Sequence, residues 1–106
     1  MLPVQQVITD EVEDEKASDI FNAQWYPDVT AYVKQTGENT SLSVKLQGSI
    51  NNVDWVDIGS AITANGILVN HDGTKRVYFP YYRLYITTNT GTEGFKLNAW
   101  MGCGGA

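Results

Sequence analysis

Apolar and polar residues alternate with a period of two through most of the chain, and no stretch holds a helical period long enough to form a helix. Val29, Ala31 and Val33 alternate with Thr30, Tyr32 and Lys34. Leu42, Val44 and Leu46 alternate with Ser43, Lys45 and Gln47. Phe95, Leu97, Ala99 and Met101 alternate with Lys96, Asn98 and Trp100. Each pattern predicts a strand with one buried face. Over residues 81–88 the same rule puts Tyr82, Leu84 and Ile86 on the core side and Tyr81, Arg83 and Tyr85 on the other. Residues 53–58 read as a short strand centred on Trp55. Residues 61–69 are broken by Asn65-Gly66, a hairpin signal. Pro80 cannot donate to a ladder, so it marks a strand start, an edge or a bulge.

Strands recurring roughly every 8–12 residues with turn residues between them predict an all-β fold. The expected architecture is a single small antiparallel β-sandwich, jelly-roll or Greek-key-like, over residues 19–101. Residues 1–18 are expected to form an extended acidic N-terminal arm, and residues 102–106 a flexible glycine-rich tail.

Charge sharpens the division. The 106 residues carry a net charge of −5, and the acidity is local. Asp10, Glu11, Glu13, Asp14, Glu15, Asp19 and Asp28 face only Lys16 in residues 1–28, which leaves the remainder nearly neutral. Crowded like charges favour a solvated, extended segment. The β-branched Val4, Val7 and Ile8 suit residues 2–9 to a short strand or to an arm that adds to a partner's sheet edge, with the nearby carboxylates steering the arm to basic surfaces.

The chain offers little material for chemistry. His71 is the lone histidine and sits in an Asn70-His71-Asp72-Gly73 turn; Cys103 is the lone cysteine and sits in the glycine-rich tail. A nucleophilic triad, a cysteine-rich zinc site and a disulfide framework are therefore not expected. Asp54 and Asp57 are three apart on one expected strand and so face opposite sides, unlike a glycosidase pair. No glycine-rich phosphate loop follows a strand and opens a helix. The expectation is a protein that is not an enzyme and uses no cofactor or metal. A nearly neutral body argues against nucleic-acid partners. No apolar run is long enough for a membrane helix, and no signal peptide is evident. The aromatic residues are the better candidates. Tyr81, Arg83 and Tyr85 share an outward face, and Tyr and Arg are enriched at protein interfaces. Trp25, Tyr26, Tyr81 and Tyr85 are also candidate sugar-stacking rings.

The run Ser41–Ser60 resembles a strand–turn–strand element of small β-sandwich virion proteins of tailed bacteriophages, the head decoration (cement) proteins and related accessory proteins. The shared features are an alternating strand, Gly48-Ser49, the Asn51-Asn52 turn, Trp55 and a short strand closing on Gly59-Ser60. Residues 79–88, Gly91-Thr92 and the closing strand 95–101 fit the same pattern. The resemblance covers residues 29–101 and places Trp55 as an anchor on the inner face. It implies a non-enzymatic virion protein, made in the host cytoplasm, that binds the major capsid protein and itself as a homotrimer on the capsid surface. On that reading Val4, Val7, Ile8, Tyr81, Arg83 and Tyr85 are the contact residues. The competing readings are a carbohydrate-binding module on a virion and a head–tail or tail accessory protein.

Overall fold

The computed structural model describes residues 3–37 and 39–105, apart from the side chain of Asn39. Two antiparallel sheets pack face to face. The first contains β1 (Val4–Glu11), β4 (Asp28–Thr36), β7 (Gly66–Val69) and β11 (Lys96–Gly104) in the order β1-β11-β4-β7. The second contains β2 (Lys16–Ala17), β5 (Asn39–Ser49), β6 (Val56–Ile62) and β10 (Tyr81–Gly91) in the order β2-β10-β5-β6, and β3 (Phe21–Asn22) also pairs with β10. A small hairpin, β8 (His71–Asp72) with β9 (Lys75–Arg76), lies apart. β5 and β6 are joined as a hairpin, whereas the chain changes sheets from β4 to β5, from β6 to β7 and from β10 to β11.

The expected all-β antiparallel architecture is present, and its period-two logic is literal. β4 alternates exposed and buried from Asp28 to Thr36 without a fault. The first sheet contributes Val29, Ala31, Val33, Leu97, Ala99 and Met101 to the core; the second contributes Leu42, Val44, Leu46, Tyr82, Leu84 and Ile86. Pro80 sits immediately before β10, at a strand start. At Gly48 the backbone comes so close to Phe79 that an added Cβ would lie 2.4 Å from the ring. Phe79 in turn meets Tyr82 edge-on, with ring centroids 6.0 Å apart at 88°.

Several expectations are corrected. The expected arm is not free: Val4–Glu11 is a full strand on the edge of the first sheet, paired to β11. A register shift between Gln6 and Ile8 turns two consecutive side chains inward, so Val7 and Ile8 are both buried in the core. Met1 and Leu2 lie outside the described residues. Nor are residues 102–104 a loose tail. They complete β11, whose Cα partners reach Asp28 on β4, and Cys103 is buried between the sheets, where burial pushes its thiol pKa up. Ala106 lies outside the described residues. Asn65-Gly66 does not close a hairpin, because β6 and β7 belong to different sheets. The Asn65 side chain instead accepts the Gln35 N–H at 2.7 Å and donates to the Gln35 carbonyl at 3.3 Å.

Buried amide side chains tie the ends of the sandwich. Asn70 Oδ1 accepts the Val29 N–H at 3.1 Å, and its Nδ2 donates to the carbonyls of Pro27 and Val77 at 2.9 and 2.8 Å. At the other end Asn89 Oδ1 accepts from Gln35 Nε2 at 2.7 Å, while its Nδ2 donates to the carbonyls of Glu11 and Glu13 at 3.1 and 3.2 Å. Asn89 points inward because a register shift between Ile86 and Thr88 reverses the alternation of β10. The acidic segment is thereby strapped to the body. Lys16 Nζ, 2.7 Å from Glu11, holds that carboxyl below its ordinary value of 4.5.

Two expectations for stability follow from this packing. Gly48→Ala forces Phe79 off its seat and should cost about 1–3 kcal/mol, the usual range for overpacking, read as a lower midpoint in chemical denaturation. Asn89→Ala leaves the carbonyls of Glu11 and Glu13 without their amide donor and the Gln35 amide with only its 3.4 Å bond to the Thr90 carbonyl, so a loss of about 1–3 kcal/mol is expected, with faster amide exchange at Val12 and Glu13 than at β4.

Candidate functional site

The outer face of the second sheet carries a polar and aromatic array built by strand register. Arg83 on β10 is opposite Gln47 on β5, which is opposite Asp57 on β6, so three strands supply one straight row. Arg83 Nε donates to Gln47 Oε1 at 2.8 Å. Gln47 Nε2 donates to Asp57 Oδ1 at 2.8 Å, and Lys45 Nζ donates to Asp57 Oδ2 at 3.1 Å. Those hydrogen bonds, from Gln47 first and Lys45 second, hold the Asp57 carboxyl below its ordinary value of 3.8.

Aromatic rings lie over this row. The Arg83 guanidinium carbon is 4.4 Å from the centroid of the Trp55 ring, and Lys45 Nζ is 5.5 Å from that of Tyr85. The stack and the Nε bond fix the guanidinium plane. The two terminal nitrogens of Arg83 have no hydrogen-bond partner among the described residues. An ordered guanidinium with its fork free is the donor geometry that recognises a carboxylate.

Beside the row stands the turn between β5 and β6. Asn51 Oδ1 accepts the N–H groups of Val53 and Asp54 at 2.9 and 2.8 Å, and Asn51 Nδ2 donates to Asp54 Oδ2 at 2.8 Å. Ser49 Oγ accepts the Asn52 N–H at 2.9 Å, with Asn52 in the left-handed region at φ 62°. Such side-chain-to-backbone bonds replace the ladder in an Asx-type turn. The turn is therefore well tied internally, yet its apolar side chains are turned to water: Val53 is 74% exposed and Ile50 65%.

Of the six expected contact residues, Tyr81, Arg83 and Tyr85 lie together on this outer face, half-buried, while Tyr82, Leu84 and Ile86 face the core. Val4 is on the opposite sheet and exposed. Val7 and Ile8 are core residues and cannot meet a partner while the sheet is intact. Trp55 corrects the resemblance-based expectation. It precedes β6 and covers the outer face rather than anchoring the inner one. Its partner was hidden because the Arg83–Trp55 contact depends on the register of three strands, which periodicity does not supply. The sequence places Ile50 in the turn and Val53 at the start of a strand, whereas β6 begins only at Val56 and both side chains are exposed; two aliphatics flanking Asn51-Asn52 are the available signal.

The first sheet has its own outer feature. Trp100 on β11 is opposite Tyr32 on β4, which is opposite Ile67 on β7. The Tyr32 and Trp100 rings are 6.0 Å apart and nearly parallel at 23°. Among the described residues, Trp25, Tyr26, Tyr81 and Tyr85 form no ring pair with one another.

Comparison with protein-family models, with curated proteins and with solved structures finds no match.

The Asp57 row has a pH signature. A carboxylate with a lowered folded pKa contributes stability that is complete above its unfolded pKa and disappears as pH falls through the folded one. The contribution of Asp57 should therefore persist above pH 3.8 and vanish as pH drops through its lowered value. Asp57→Asn should flatten the stability profile in that window, measured by urea denaturation across an acid series. An unchanged profile would mean that Asp57 is free in solution.

Proposed function

We propose that this protein is a non-enzymatic structural protein that docks on a protein lattice through the outer face of its second sheet and the adjoining turn. In the specific form of the proposal it is a virion protein, a capsid decoration protein of the kind that residues 29–101 resemble. The observation that carries the reading is the internally bonded turn 49–54, which presents Ile50 and Val53 to water next to the Trp55–Arg83 stack. Ile50, Val53 and Val56 are all exposed within seven residues of one another around Trp55, and clustered rather than scattered apolar exposure is what marks an interaction surface. On a partner surface it supplies preorganised apolar contact, at little ordering cost, beside a Trp–Arg–Tyr group of the type that dominates interface energy. The free fork of Arg83 would take a carboxylate from the partner, and the half-buried Tyr81 and Tyr85 would widen the contact. Pairing with β11 and the burial of Val7 and Ile8 make β1 part of the scaffold, so the contact does not rely on a flexible arm.

A second reading rests on Tyr32 and Trp100. Two nearly parallel rings on an outer sheet face are a surface on which sugar rings stack, and this reading makes the protein a carbohydrate-binding module on a virion.

One set of measurements separates them. The folded protein should co-sediment with expanded phage heads, and immunogold label should decorate the head. Val53→Asp and Arg83→Ala should each weaken that binding at least about tenfold, with the circular dichroism spectrum unchanged. Label on the tail would replace decoration with a tail accessory role. Glycan-array binding abolished by Trp100→Ala, with no head binding, would establish the second reading instead.

A further inference from the structure

We propose that two copies of this chain pair through β7, antiparallel about a twofold axis, so that their first sheets join into one continuous sheet. The inference is independent of the functional reading above and rests on the edge strands.

A sheet edge offers unpaired N–H and C=O groups, and folded proteins normally blunt such edges with charge, proline, bulges or cover. Three of the edges here are blunted. β1 follows Pro3, carries Asp10 and Glu11, and has two register shifts against its neighbour. β2 is two residues long and begins with Lys16. β6 carries Asp57, a register shift against β5, and Gly59 at φ 65°. β7 has none of these devices. Its sequence is Gly66-Ile67-Leu68-Val69, and the run from Gly59 to Asn70 contains no charged residue. Two copies, each with a net charge of −5, can approach along this edge with their acidic segments elsewhere.

The backbone faces the right way. The Asn70 N–H bonds the Val29 carbonyl on β4 at 3.3 Å. Strand backbones alternate direction at each residue, so Leu68 also points to β4, while Ile67 and Val69 aim their N–H and C=O groups at the open edge. A twofold axis through Leu68 then sets Ile67 opposite Val69 of the second copy, twice over, with both residues exchanging hydrogen bonds. This register keeps side-chain faces matched. Ile67, 61% exposed, and Val69, 43% exposed, meet as cross-strand aliphatic pairs on the outer face, and Leu68 meets Leu68 on the inner side. The row Trp100–Tyr32–Ile67 would continue into its counterpart. A groove of about 600 Å³, lined by Ile58, Ile62, Ile67 and Leu68 with His71 and Asp72 beside them, leaves the inner flank of the edge uncovered.

Sedimentation velocity on the full chain over a dilution series tests the proposal. The protein should be a concentration-dependent dimer. Ile67→Lys should raise the dimer dissociation constant roughly a hundredfold, about tenfold from each symmetry-related site. Val69→Pro should do the same, because it removes an N–H that points away from β4 and leaves the internal ladder whole. Circular dichroism and the urea midpoint verify that both variants fold; if either does not, Leu68→Cys supplies the readout, since it should form a disulfide-linked dimer under oxidation that the wild-type chain with its buried Cys103 does not. A wild-type protein that sediments as a monomer at about 1 mM, or a dimer whose constant is unmoved by the folded edge variants, would overturn it.

Discussion

A single layer of side chains between two sheets sets the terms for the whole molecule. Each strand can bury only one of its two faces, and with one interlayer the other faces of both sheets are left to water or to a partner. The inner residues are mostly aliphatic, Val, Leu, Ile and Ala, with Phe21, Tyr82, Met101 and Cys103 among them. The Tyr82 hydroxyl is provided for. It accepts the Phe79 N–H at 3.1 Å and donates to the Val77 carbonyl at 3.4 Å, and burial raises its pKa. Variety is confined to the outside. There the same alternation lines up Arg83, Gln47 and Asp57 on one sheet and Trp100, Tyr32 and Ile67 on the other.

The ends of the interlayer need a different solution, because strands stop there and backbone groups lose their ladder partners. Asn70 and Asn89 supply it, since a primary amide can accept and donate at once. Each joins segments far apart in sequence, Asn70 the start of β4 with the approach to Phe79, Asn89 the end of β4 with the acidic N-terminal segment. A polar residue in this position contributes specificity as well as stability, for a chain slipped by one residue would leave the amide unpaired in an apolar setting.

The strands with clean alternation were legible from sequence, and so was the facing of β10: Tyr82, Leu84 and Ile86 inward, Tyr81, Arg83 and Tyr85 outward. What escaped was whatever depends on a register shift or on a contact distant in sequence. Val7 and Ile8 read as a sticky arm because two adjacent apolar residues break period two, and the shift that turns both inward is visible only once β11 lies beside them. Gly102, Cys103 and Gly104 looked too small to pack, yet a central strand pressed between neighbours accommodates small residues well. Asn65-Gly66 has hairpin chemistry, but the Asn65 amide is spent on Gln35 and the chain changes sheets. The candidate site divides along the same line. Its Tyr–Arg–Tyr face follows from alternation, whereas the Trp55 stack and the apolar turn follow from how three strands align.

The position of β11 carries a consequence for the order of events. This strand, the last in the described chain, lies between β1 and β4, so the first sheet has no middle until residues 96–104 have been made. During synthesis β1 and β4 wait with their apolar faces unsheltered, and the β5–β6 hairpin is the main piece able to assemble early from neighbouring sequence. Closure of the first sheet thus waits on its last strand, a pairing between distant parts of the sequence of the kind that slows folding.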